Sequence, residues 1–161
     1  PLDAVERLIS RLPVPISLRY GAGATPFFSI SKDYIHLPDS LRDGPPTTHA
    51  KTLLHEVLHA VLKHAHPASA GERHAFGTPG YACREVATET ASLWVASWLQ
   101  INDPEMTRAS AAYCLNWMDA IGEDRKALFV LSRRAQLLFD WIASASGNPV
   151  SDASDMEQEM T

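Results

Sequence analysis

The sequence predicts an α+β domain in which a small antiparallel sheet packs on a long helix and three further helices follow. Three patterns carry this prediction. Short apolar/polar alternations occupy the segment between residues 16 and 37, an apolar helix-periodic run surrounds His55-Glu56-Val57-Leu58-His59, and three more helix-periodic segments fill the chain from residue 81 to about 144. With 161 residues and 45% hydrophobic content, the chain suits one well-packed domain. It contains no internal repeat and no low-complexity segment.

In chain order, residues 3–12 read as a short helix. Alternation at 16–20, 27–30 and 34–37 reads as three strands separated by Gly-rich or charged turns. Residues 47–64 follow Pro45-Pro46, with Thr47 or Thr48 as the expected N-cap. Leu54, Val57, Leu58, Val61 and Leu62 recur at the spacing of one buried helical stripe. A second long helix is expected over 81–99. A third follows Pro104, is capped by Asp103 and stops at Gly122. The last runs to about 144 on an apolar stripe of Leu128, Leu131, Ala135, Leu138, Phe139 and Ile142. The domain is expected to cover 1–146. Residues 147–161, where much of the excess acid lies, read as a flexible acidic tail, and an acidic tail can mimic a phosphate track.

The H-E-x-x-H box points to a zinc hydrolase. Helical residues four apart lie on one face with Cβ atoms roughly 5–6 Å apart, so His55 and His59 can reach one ion at about 2.0–2.1 Å. Glu56 then sits beside the metal without ligating it, where it can take a proton from an activated water. A tetrahedral catalytic site needs a third protein ligand. Glu85 and Glu89, four apart on one face of the next helix, are the candidates. Whichever does not ligate can accept the outer N–H of a ligand histidine and orient its ring.

Other polar residues are candidates for the same site. Tyr81, His74 and Tyr113 are candidate donors to a developing oxyanion. The Gly-, Pro- and His-rich loop 64–80 is expected to frame the cleft, with His64, His66 and His74 read as separate surface histidines rather than a second metal site. His36 reads as a sheet residue. Cys83 and Cys114 read as reduced core thiols, with Cys83 close enough to Glu85 to be considered as a ligand.

These blocks, taken in order, resemble one known family. Residues 17–21 (SLRYG) and 27–38 (FFSISKDYIHLP), the box LLHEVLH at 53–59, YACRE at 81–85, AYCLNW at 112–117 and EDRKA at 123–127 are similar to the C-terminal zincin-like metallopeptidase domain of ArdC antirestriction proteins and of related TraC-type primases. The similarity spans about residues 5 to 142. It implies a zincin-like fold of the gluzincin type, one zinc ion per chain and peptide hydrolysis, with the first acid of E-x-x-x-D/E, Glu85, as ligand and Glu89 as partner of a ligand histidine. It also implies a sheet edge along the cleft where an extended peptide can add as another strand. Arg84 replaces the first acid of a common acidic pair, and Ala60 stands where a Trp is common; these departures affect the site edge and substrate geometry rather than the ligands.

Family members normally carry a preceding single-stranded-DNA-binding domain. This chain begins at Pro1 almost directly in the peptidase-like blocks, so an excised domain or processed product is expected. The net charge of −5 argues against a strong nonspecific nucleic-acid surface in this fragment, and DNA contact would fall to the missing domain. No segment reaches the roughly 18 apolar residues of a membrane span and the start lacks signal-peptide features, so a cytoplasmic location is expected. The expected partner is a protein or peptide substrate. The alternative is a non-catalytic zinc-containing module that binds restriction or regulatory proteins. A third possibility is a protease held inactive until its DNA-binding partner engages a strand.

Overall fold

A computed structural model describes residues 1–66, 74–122 and 125–147. Helix α1 (Leu2–Ile9) buries Val5 and Leu8 and ends earlier than expected, because Ser10 and the two residues after it turn back through bonds such as Leu12 N–H to Ile9 O at 3.1 Å. Strands β1 (Ser17–Gly21), β2 (Phe27–Ser29) and β3 (Tyr34–Pro38) fall where alternation placed them. Ile35 and Leu37 of β3 are fully buried on the core face, while His36 on the other face stacks on Phe27 with ring centroids 5.0 Å apart. His36 is thus a sheet residue.

The sheet is mixed, not antiparallel as expected. β2 pairs antiparallel with β3 (Phe27↔His36 to Ser29↔Tyr34), but β1 runs parallel to β3 (Ser17↔Tyr34 to Gly21↔Pro38), in the order β1-β3-β2. The cause lies in the connections. A tight turn with Asp33 at φ 50° and its N–H bonded to Ser29 O at 2.9 Å makes a local hairpin of β2 and β3. The chain leaving β1 passes β3 before entering β2, so β3 takes the centre and β2 becomes an edge strand.

After a 3-10 turn (Asp39–Leu41), helix α2 spans Pro46–Ala65. Neither Thr47 nor Thr48 is its N-cap: Pro45 holds that place without a side-chain bond, and Pro46 occupies the first turn, where a missing N–H is harmless. All five residues of the expected stripe are buried. Helix α3 (Pro79–Trp98) begins two residues before the expected start, because Thr78 caps it by accepting the Tyr81 N–H. α3 packs against α2, α4 (Pro104–Ile121) and α5 (Arg125–Ala145). Small side chains suit that central position, and Ala82, Ala87, Ala91 and Ala96 are at most 1% exposed. α4 is capped by Asp103, which accepts the Glu105 N–H, and is closed by Gly122 at φ 67°.

α5 buries Leu131, Ala135, Leu138 and Ile142 as expected, and Phe139 is half-buried. Leu128 is instead exposed. Truncating Leu138, with no exposure, is expected to destabilise the fold by about 2–5 kcal/mol, whereas Leu137→Ala at 43% exposure should change stability by less than about 1 kcal/mol. Denaturant unfolding of both variants checks this contrast. The expected acidic tail and the middle of the loop between α2 and α3 lie outside the described residues, as do Glu123 and Asp124.

Candidate metal centre

The periodicity that buries one face of α2 places His55 and His59 at the border of that face, looking across at α3. His55 Nε2 and His59 Nε2 stand 3.1 Å apart, and Glu85 Oε2 of α3 lies 3.5 and 3.6 Å from them. The three residues form a cluster with ligand atoms all within 4.8 Å, and no other such group occurs among the described residues. Ligand atoms about 2.0–2.1 Å from a tetrahedral ion stand about 3.3–3.4 Å apart, close to the spacing found here. Acceptor atoms also repel one another unless a proton or cation lies among them. The donor set therefore fits a divalent ion.

Glu89 faces the outer side of the cluster. Its Oε2 is 2.7 Å from His55 Nδ1 and its Oε1 is 2.8 Å from Lys51 Nζ. Burial opposes ionisation of Glu89, but bonds with His55 and Lys51 outweigh it and hold the carboxyl near pKa 2. Glu85 behaves alike: burial opposes its charge, yet contacts with His55, His59 and Tyr113 hold it far below the usual carboxylate range. For His55, burial disfavours the imidazolium, while Glu85 and Glu89 overcome that penalty and raise its pKa to about 9.

Glu56 is 6% exposed and lines the same cleft without belonging to the three-atom cluster. Burial raises its pKa, against the pull of His59 and His55 and of a hydrogen bond from the Phe28 backbone on β2. A partly desolvated carboxylate of this kind is a stronger proton acceptor than one in water. The cleft encloses about 560 Å³. Phe27, Phe28 and Ile30 from the edge-strand region form one wall, and Phe76, Tyr81 and Trp117 form the other.

The three expected oxyanion donors separate. Tyr113 donates to Glu85 Oε2 at 2.8 Å, and its ring stands edge-on to His55. Burial and the Glu85 charge raise its pKa. Its hydroxyl is thus committed to the carboxylate. Tyr81 lines the cleft; burial, then Glu85, raise its pKa. His74 is not among the lining residues and instead packs on Gly80 so closely that an added Cβ there would collide with its ring. His64 is bonded to Asp33 Oδ1 at 2.9 Å, and the two cysteines form no disulfide and lie outside the cluster. Lys51 was missed by sequence reasoning. Its signal was its spacing, one turn before His55 on the same face of α2.

A helix bearing H-E-x-x-H, a carboxylate from the following long helix and a sheet edge across the cleft define a zincin-like domain. The sequence model of the zincin-like metallopeptidase family matches residues 3–134, and the chain belongs to that family. DNA primase TraC of Escherichia coli is 32% identical over 144 residues, covering 87% of this chain and 13% of TraC. The uncharacterised protein y4eC of Sinorhizobium fredii is 28% identical over 142 residues, 88% of this chain and 44% of y4eC. This chain therefore spans less than half the length of either relative. Among solved structures, the antirestriction protein ArdC of plasmid R388 shares the fold at 20% identity: its Mn(II)-bound form gives a TM-score of 0.69 over 91% of this chain and 53% of ArdC, and its metal-free form 0.60. No helix among the described residues is long and apolar enough to cross a membrane.

Proposed function

We propose that the chain is a zinc-dependent metallopeptidase domain that hydrolyses peptide bonds, with His55, His59 and Glu85 holding one zinc ion and Glu56 moving the proton. The carrying observation is the position of Glu56, buried in the cleft beside the cluster yet outside it. When bound, a divalent ion there acidifies water and polarises a carbonyl. Glu56 accepts the proton of the attacking water and returns it to the leaving amine. Glu89, anchored by Lys51, fixes the tautomer and ring orientation of His55. Tyr113 positions Glu85, and Tyr81, which lines the cleft, is the candidate hydroxyl for the oxyanion. Edge strand β2 offers backbone groups along the cleft to an extended peptide.

ArdC is described with Mn(II) bound, and two imidazoles with one carboxylate suit several divalent ions. Zinc is the favoured occupant because such sites bind it more tightly than manganese. Metal removal tests the hydrolytic reading. Cleavage of a mixture of short peptides is expected from the zinc-loaded chain, to be lost in chelator and to return with zinc; cleavage indifferent to metal would overturn it. A second reading, a zinc-containing module that binds restriction or regulatory proteins without cutting them, draws on the antirestriction description of ArdC. It would be favoured by antirestriction activity that survives Glu56→Gln.

Metal uptake is also expected to depend on pH. With no ion bound, His55 keeps its proton up to about 9, so ligation near neutrality must displace it. Zinc affinity should therefore fall as pH falls, by up to about tenfold per pH unit for each proton released. The stability of the metal-free fold runs the other way: the raised His55 pKa contributes fully below its unfolded value and is lost as pH rises through about 9. Calorimetric zinc titrations in buffers of different ionisation enthalpy count the released protons.

A further inference from the structure

The cleft holds a cation whose task is open. Lys51, Lys63 and Arg84 all line it, but Lys51 is held by Glu89 at 2.8 Å, and Lys63 by Asp33 and Ile30 O, both at 2.7 Å. Arg84 is held by no carboxylate or backbone carbonyl in this way among the described residues, and its side chain shares a hydrogen bond with Tyr81 instead. Its nearest carboxylate atom, Glu85 Oε1, is 3.9 Å from Nε, too far for a hydrogen bond, and Nε is buried with none. The side chain is only 15% exposed, and its guanidinium lies over the Tyr81 ring, 4.9 Å from the centroid.

We propose that Arg84 is a specificity residue that binds a carboxylate of the substrate within about two residues of the bond cut. A guanidinium is always charged and offers a planar fork of donors that matches a carboxylate. A carboxylate entering the cleft meets a largely desolvated guanidinium whose charge no hydrogen-bonded carboxylate offsets. Stacking on Tyr81 holds the fork in place before binding, so little is lost in ordering it. The apolar walls of Phe27, Phe76 and Trp117 exclude water and strengthen the attraction. Adjacency to Glu85 sets the register: an extended residue spans at most about 3.3–3.6 Å, so a bound acid lies next to the reacting bond or one residue beyond it. The carboxylate can come from an Asp or Glu side chain or from a free peptide C-terminus.

The cleavage arm of the test rests on the hydrolytic reading; the binding arm does not. Zinc-loaded wild type, Arg84→Gln and Arg84→Glu proteins are given synthetic mixtures of short random peptides with Asp and Glu present or replaced by Asn and Gln, each with free or amidated C-termini. Cut sites are read by mass spectrometry. Cuts next to an acid should exceed neutral ones about tenfold in wild type, lose that ratio in Arg84→Gln and favour Lys or Arg in Arg84→Glu. Loss of the preference on amidation alone assigns the C-terminal carboxylate, and loss on Asn/Gln replacement assigns a side chain. Cuts without acidic enrichment, or with enrichment unchanged in Arg84→Gln, overturn the proposal and leave the hydrolysis standing. If nothing is cut, hydrolysis fails, and retention of the same mixtures on immobilised zinc-loaded protein decides: Arg84-dependent enrichment of acidic peptides supports recognition, and equal retention overturns it. Circular dichroism and zinc content confirm that each variant is folded and loaded; should Arg84→Gln fail there, Arg84→Lys replaces it and should weaken the preference by removing the fork.

Discussion

Glu56→Gln is expected to lower peptide hydrolysis by about 10²–10⁴-fold while leaving metal content and fold intact. The substitution is nearly isosteric, but an amide cannot accept and return a proton. Because Glu56 lies outside the ligand cluster, its loss should not empty the site. Burial raises its pKa, so the ionised carboxylate is an unfavourable guest in the folded chain near neutrality. A neutral Gln removes that penalty, and the variant should melt no lower than wild type, and higher if anything. Activity and stability thus move in different directions, a pairing that general damage does not produce. Hydrolysis of a metal-dependent peptide substrate, zinc content and thermal unfolding measure the three quantities. Turnover retained in a zinc-loaded Glu56→Gln protein would sink the assigned role.

Local chemistry made much of the fold legible. Asp103-Pro104 and Gly122 mark the ends of α4 because a side-chain acceptor, a fixed φ and a tolerated positive φ act within a few residues of one another. The burial of Leu54, Val57, Leu58, Val61 and Leu62 follows from the helical period alone. Pairing across the sheet is different. Alternation tells which side of a strand meets the core and says nothing about its neighbour, so the strands were found while the parallel β1-β3 pairing was not. Residue type makes Thr47 or Thr48 the expected cap, but the rigid Pro45-Pro46 pair sets the helix start.

The site divides along the same line. His55, Glu56 and His59 share one turn, and Glu85 and Glu89 share another, so spacing presents them together. Tyr113 meets Glu85 only because α4 packs on α3, and His74 leaves the cleft because its ring rests on Gly80; neither follows from a local rule. Arg84 was visible as a change of charge at the site edge. Its unpaired Nε and its stacking on Tyr81 required the packed structure.

Glu85→Ala and Glu89→Ala should differ sharply in metal binding, although both remove a buried acid four residues apart on one helix. Glu85 Oε2 lies about equally far from both imidazole Nε2 atoms, whereas Glu89 reaches only the outer nitrogen of His55 and spends its other oxygen on Lys51. Proteins prepared without added metal should contain about one zinc per chain in wild type and only a small fraction of that in His55→Ala and Glu85→Ala. Glu89→Ala should still fill under excess zinc, with affinity weaker by about 10–100-fold, because a ligand's outer partner tunes the bond without making it. Far-UV circular dichroism separates loss of metal from loss of fold, and Glu85→Gln, which keeps side-chain volume, guards against a cavity effect. Near-stoichiometric zinc in folded Glu85→Ala with none in Glu89→Ala would reverse the two roles. A folded wild type that neither contains nor takes up zinc would remove the basis for assigning hydrolysis to this cleft.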